Sequence, residues 1–322
     1  MNYRRALAAS ALVLALPLAA CSADGANDGS GGSGDGDATL SVMASFYPLQ
    51  FLAERVGGDL VDVTSLAPAG TEPHDLELSP AQVAALGRAD LLVYLSDFQP
   101  SVDTAVQEVA PNAVDVHEVV HLTADEHADE DEHADGETES ASTDEHDHSG
   151  EDPHFWLDPT RMADAADAVA DALAEADPAH AEEFRANADA LRTDLEALDE
   201  RFRTGLAQCS GHVIVTSHEA YGYLADRYGL EQVGISGLDP EAEPSPARLR
   251  EIQQVVRDEG VTTIFTESLV NPKVADVLAS DLGITTAVLD PVETLTKDSA
   301  GEDYLAVMTA NLEALRTALD CA

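Results

Sequence analysis

The stretch PAHAEEFRANADALRTDLEALDERFRTGL, residues 178–206, decides how this chain is organised. Phe184, Ala188, Leu191, Leu195, Leu198, Phe202 and Leu206 recur at spacings of four and three, which puts one apolar stripe on a helix that Pro178 is placed to open. A helix of this length runs roughly 43 Å at 1.5 Å per residue, enough to join two lobes as a stiff strut. On its N-terminal side, LSVMAS (40–45), VDVTSL (61–66), DLLVYLS (90–96) and AVDVH (113–117) read as strands, with helices near 48–57, 79–88, 100–110 and 160–176. On its C-terminal side, HVIVTS (212–217), EQVGI (231–235), TTIFTE (262–267) and TTAVLD (285–290) repeat the pattern, with helices near 219–229, 246–259, 272–282 and 302–319. Alternation of this kind predicts parallel pairing. The expected class is α/β: two lobes, 39–177 and 207–322, each with a mainly parallel four-stranded sheet flanked by helices, joined by the long rigid helix 178–206.

The first 21 residues are expected to send the protein outside the cytoplasm. Arg4 and Arg5 precede an apolar run, Ala6 to Ala20, that is too short for a mature membrane span, and Leu18-Ala19-Ala20-Cys21 follows. Residues 1–21 therefore read as a lipoprotein signal peptide with its lipobox, Cys21 as the lipidated residue, and 22–38 as a flexible Gly/Ser/Asp tether. The expected location is the outer face of the cytoplasmic membrane, or its periplasmic side in a two-membrane envelope, with the lipid anchor as the sole membrane contact. Setting Cys21 aside leaves Cys209 and Cys321, which in an exported chain are expected to form a disulfide, two buried thiols being the alternative. A formal net charge of −46 excludes nucleic acid and anionic lipid headgroups as partners, since both need a cationic patch. Residues 123–152 carry fourteen Asp or Glu, no Lys or Arg, and His127, His133, His146 and His148. With almost nothing apolar to bury, this segment is expected to be a disordered insert and a weak auxiliary metal-binding loop, a solvated charged loop being the alternative.

The chemistry lies in four short settings: His74 in EPHDLELSP, His154 in DPHFWLDP, His218 in TSHEAYGYLADRYGL and Asp290 in VLDPVETL. A lone histidine near a strand end is more often a hydrogen-bonded structural residue. Here His74, His218 and Asp290 follow or end strands and His154 precedes a helix, which is the edge where open α/β sheets bind ligands. Three imidazoles and a carboxylate, two from each lobe, would close a shell around one first-row metal ion in the cleft.

These motifs, with FTES at 265–268, resemble the metal-specific substrate-binding lipoproteins of bacterial ABC transporters, the TroA-like superfamily, and its zinc-uptake branch in particular. The resemblance covers essentially residues 39–322. It implies two α/β lobes joined by one rigid helix, metal in the interlobe cleft, and ligands at His74, His154, His218 and Asp290. It also places Glu267 close to the site, as a supporting group or an alternate carboxylate. Glu72 stands one step further from His74 than the acidic residue of some zinc receptors, because Pro73 intervenes. The implied function is extracytoplasmic capture of Zn²⁺ and its delivery, by a monomer, to a membrane permease. Mn²⁺ is the less favoured cargo, since manganese members tend to carry a carboxylate where this chain has His218. A receptor for another divalent metal and a metal-binding surface adhesin remain the alternatives. No enzyme is expected. His218-Glu219 opens like a zinc-peptidase helix, but the second histidine that motif needs would fall at Gly222; no G-x-S-x-G elbow is present, and a full shell leaves no position for water.

Overall fold

Central and edge strands differ in composition because they differ in what covers them. The computed structural model describes residues 39–110, 112–123 and 150–322. In the first lobe, β1 (Leu40–Ala44), β2 (Val61–Ser65), β3 (Leu91–Tyr94) and β4 (Ala113–Asp115) form a parallel sheet of order β2-β1-β3-β4. Register pairs Val42 with Val63 on one side and with Leu91 on the other. Apolar runs in β1 and β3 are buried, as strands covered on both faces require, whereas edge strand β2 alternates. Helices α1 (Tyr47–Gly57), α2 (Pro80–Leu86), α3 (Pro100–Val109) and the single turn α4 (His117–Val120) complete the lobe.

Two helices follow, α5 (Pro159–Ala176) and α6 (Ala181–Gly205), packed along one another. The strut expected over 178–206 thus begins three residues later. Asp177 explains the delay: its carboxylate accepts the Ala179 N–H and contacts the His180 ring, holding 178–180 in a turn. The predicted stripe of α6, from Phe184 to Phe202, is buried. At roughly 37 Å, this helix packs against α1 at one lobe and α10 (Tyr304–Ala318) at the other.

The second lobe repeats the first. β5 (Val213–Thr216), β6 (Glu231–Gly234), β7 (Thr263–Thr266) and β8 (Thr285–Val288) form a parallel sheet of order β6-β5-β7-β8, with α7 (Gly222–Tyr228), α8 (Pro246–Asp258) and α9 (Lys273–Leu282) around it. In both sheets the strand order reverses direction at the central pair, which opens a crevice beyond the carboxyl ends of the strands. One apolar core runs from Val42 in β1 to Leu315 in α10, so the lobes share buried surface. A second, smaller core lies within the C-terminal lobe around Val215, Ile252 and Ile264.

Polar contacts lock the lobes together. Asp199 of α6 accepts hydrogen bonds from Arg227 Nε at 2.6 Å and the Tyr228 hydroxyl at 3.1 Å, both on α7. Trp156 Nε1 donates to the Pro291 carbonyl at 2.7 Å, and the Tyr304 hydroxyl to the Trp156 carbonyl at 2.5 Å. Among the described residues no helix is long and apolar enough to cross a membrane. Cys21, the tether and His127, His133, His146 and His148 lie outside them, although the insert's expected boundary residues Thr123, Glu151 and Asp152 are placed: Asp152 N–H donates to the Thr123 carbonyl.

Cys209 and Cys321 form the expected disulfide, 112 residues apart in sequence, tying the chain after α10 to the entry of β5. A chain beginning after Cys21, titrated under denaturing and non-reducing conditions, is expected to show no free thiol. Its Cys209→Ser/Cys321→Ser variant should lose about 4–5 kcal/mol of unfolding free energy in urea titrations by loop-closure entropy.

Candidate metal centre

Each site residue is delivered by a local structure that leaves little freedom. His74 sits in the long loop after β2, which a capping box closes: Ser79 accepts the Gln82 N–H and the Gln82 side chain reaches back to the Ser79 N–H. Gln99, fully buried, donates to the Pro73 carbonyl at 3.0 Å, and the His74 ring stands edge-on to Phe98 with centroids 4.8 Å apart. His154 precedes a 3₁₀ turn (Phe155–Leu157) whose Trp156 packs with Phe46 and Phe98 as an aromatic floor under the two rings. His218 follows β5 directly, its carbonyl accepting the Thr216 hydroxyl at 2.8 Å.

The structure brings these three histidines together, and the carboxylate that joins them is Glu293. Their ligand atoms all lie within 4.8 Å of one another. His154 Nε2 is 3.3 Å from both His74 Nε2 and His218 Nε2, and Glu293 Oε1 is 3.4, 3.2 and 3.5 Å from His74, His154 and His218. A tetrahedron with vertices about 2.0–2.1 Å from its centre, the usual zinc–nitrogen and zinc–oxygen distance, has edges of roughly 3.3–3.4 Å. Five of the six separations, at 3.2–3.5 Å, lie close to that figure, and the sixth, between His74 and His218, lies within 4.8 Å.

Asp290, expected as the fourth ligand, is not in the group. Its Oδ1 accepts the Val292 N–H at 2.8 Å and its Oδ2 the Ser268 hydroxyl at 3.4 Å. The reason is geometric: Asp290 ends the strand run and folds back on its own turn, so the chain reaches the histidines three residues later. VLDPVETL contains both carboxylates, and only the conformation of the turn separates them.

Carboxylates also set the tautomers. Asp152 Oδ1 lies 2.7 Å from His154 Nδ1, and Glu267 Oε1 2.8 Å from His218 Nδ1. Each Nδ1–H is thereby given to a carboxylate, and each Nε2 is turned toward the centre. Glu267 thus stands beside the site as a supporting group. Glu72 does too, accepting the His74 N–H at 3.0 Å. Asp152 escaped the sequence reading because it was grouped with the acidic insert, although it opens the DPHFWLDP motif itself.

Burial and charge oppose each other here. His154 and His218 are fully buried and Glu293 is 3% exposed, while the His74 side chain retains 15%. Burial pushes His218 down, but Glu267 and Glu293 outweigh it and raise the imidazole to about 10. His154 is raised in the same way, by Asp152 and Glu293 against burial, whereas His74 is lowered, chiefly by burial. Burial would raise Glu293, yet the three imidazoles hold it well below the usual carboxylate range. Burial and the charge of Glu293 push Glu72 up to about 7.

With this geometry in place, comparison with known proteins is decisive. Residues 42–318 match the family described as zinc-uptake complex component A, periplasmic. The chain belongs to that family. Zinc-uptake family relatives include the zinc-binding lipoprotein AdcA of Streptococcus pneumoniae serotype 4, 36% identical over 291 residues, which cover 88% of this chain and 56% of AdcA. The chain therefore spans just over half the length of that relative. The high-affinity zinc uptake system protein ZnuA of Bacillus subtilis is 34% identical over 289 residues, covering 87% of this chain and 88% of that protein. Among solved structures, the Zn(II)-bound ZnuA-like domain of S. pneumoniae AdcA superposes with a TM-score of 0.71 at 33% identity, covering 88% of this chain and 99% of that domain. The laminin-binding protein Lmb of Streptococcus agalactiae, described as bifunctional with adhesin and metal transporting activity, gives 0.75 at 34% identity over 87% and 99%.

If the carboxylates at His154 and His218 orient those rings as described, Asp152→Ala and Glu267→Ala should each weaken zinc binding about 10- to 100-fold, read by competition with a chromogenic chelator.

Proposed function

We propose that this protein is the extracytoplasmic zinc receptor of an ABC transporter, tethered through lipidated Cys21, acting as a monomer and delivering Zn²⁺ to a membrane permease. The observation that carries this reading is the largely buried His74–His154–His218–Glu293 group, five of whose six separations lie close to the edges of a zinc tetrahedron. Three imidazoles with one carboxylate suit borderline Zn²⁺ better than hard Mn²⁺, which is served by more oxygen ligands. Cu²⁺ competes by intrinsic affinity, so selectivity in the envelope rests on geometry and supply as well.

Capture follows from charge balance. Without metal, the buried carboxylates beside the histidines are offset by the proton on His218, whose imidazole is raised to about 10, and His154 is raised in the same direction. A divalent cation at the centre takes over the role of that proton, while the imidazoles and Glu293 replace its water shell. Release then requires the permease to loosen the shell. Four protein ligands leave no position for an activated water, which supports carriage over catalysis, and we propose no enzymatic role. The likeness to a bifunctional adhesin favours one secondary reading, surface adhesion. Removing the ligands would then abolish zinc binding and leave partner binding intact.

Because His218 is raised to about 10, it is charged in the metal-free protein at neutral pH and zinc must displace its proton; the rise of His154 acts in the same direction. Calorimetry in buffers of different ionisation enthalpy should show about one to two protons released per zinc at pH 7.5. Affinity should rise from pH 5.5 to 8, and equal affinities across that range would rule out histidine ligation. Deleting 124–149 should remove only weaker additional binding; loss of the tight site in that variant would show that the insert supplies a principal ligand.

A further inference from the structure

Four side chains converge on the short turn that delivers Glu293. The Tyr221 hydroxyl donates to the Leu289 carbonyl at 2.7 Å. Asn311 of α10 takes both backbone groups of Asp290, accepting its N–H at 2.9 Å and donating to its carbonyl at 2.7 Å. Trp156 Nε1, from the other lobe, holds the Pro291 carbonyl. Asp290 itself accepts the Val292 N–H at 2.8 Å. Val292, the residue between this clamp and Glu293, has φ 59° and is fully buried. A β-branched residue does not adopt the left-handed region by preference, so the surroundings must impose it. Returning Val292 to an ordinary negative φ would reorient the backbone at Glu293 and carry its carboxylate away from the imidazoles.

Asp290 is therefore conspicuous for what it does not do: a buried carboxylate beside a metal-binding group that points at its own turn. We infer that Asp290 is a positioning residue, whose carboxylate holds Val292 in the left-handed turn that presents Glu293 to the three histidines. Beyond the turn, the Gly70 N–H donates to Thr294 Oγ1 at 2.9 Å, tying the far side of Glu293 to the loop that carries His74. The fourth ligand is thus set by backbone conformation from both sides rather than by its own rotamer choice. The inference rests on reading the group as a metal centre.

The test uses the mature chain, with zinc affinity from chelator competition and Co²⁺ as a spectroscopic probe, since its visible absorption reports coordination number. Asp290→Ala should weaken zinc about 10- to 100-fold and move the Co²⁺ spectrum to that of Glu293→Gln. Asp290→Asn keeps an oxygen that can accept the Val292 N–H, and should restore most of the affinity and the parent spectrum. Adding Val292→Gly to Asp290→Ala should also restore them, because glycine takes a positive φ without a clamp. Asp290→Asn as weak as Asp290→Ala would overturn the inference by showing that the charged carboxylate is itself required. An unchanged affinity and spectrum in Asp290→Ala, or failure of Val292→Gly to rescue, would overturn it by showing the turn to be scaffold alone. A different pattern, with Glu293→Gln and His154→Ala binding zinc as tightly as the parent, would sink the metal-receptor reading itself.

Discussion

The structure depends on keeping one buried carboxylate, Glu293, within 3.2–3.5 Å of three imidazoles that come from both lobes. His74 and Glu293 are 219 residues apart in sequence, so no local element can hold that separation. It is held by the shared core of the lobes, by α6 packed against both, and by Trp156, which packs against the His154 ring and hydrogen-bonds the turn before Glu293. A shift of one ångström between the lobes would convert the ligand edges of a tetrahedron into distances that no single zinc ion could span. On the zinc-receptor reading, rigidity between lobes is therefore a condition of binding.

The same group explains why so many carboxylates can be buried together. Carboxyl groups brought this close together and cut off from water lose hydration at heavy cost unless compensated. The imidazoles of His218 and His154, both raised by these carboxylates, offset that cost, and a dication at the centre would take over the role. The aromatic floor of Phe46, Phe98 and Trp156 keeps the exchange out of bulk water, which strengthens every charge interaction inside.

Much of the fold was legible because its signals are periodic. The stripe from Phe184 to Phe202 announced α6, and the buried runs VIVT and TIFT announced the central strands of the second sheet. The histidines were legible because each occupies a strand end or helix entry where α/β sheets place ligands. The carboxylate that joins them was not, because Asp290 and Glu293 share one motif, and what separates them is the backbone at Val292, a φ that composition does not encode. Nor does spacing announce that Asp152 belongs to His154 rather than to the acidic segment before it. The delayed start of α6 is a smaller case: Asp177 and His180 compete for the first turn, and their side-chain contacts win over helix propensity.

The net charge of −46 and the buried group act on different scales. A negative surface raises the local concentration of every cation, zinc, magnesium and calcium alike, and salt screens it within about 10 Å at 0.1 M. It therefore cannot choose among metals. Choice requires ligands of fixed type at fixed separation, shielded from water, and imidazole nitrogen is the discriminating type because hard cations have little use for it. On the zinc-receptor reading, that places the selective step at His154 and His218, fully buried and each held by a carboxylate at Nδ1, where neither exposure nor rotation lets the ring turn an edge away from the centre.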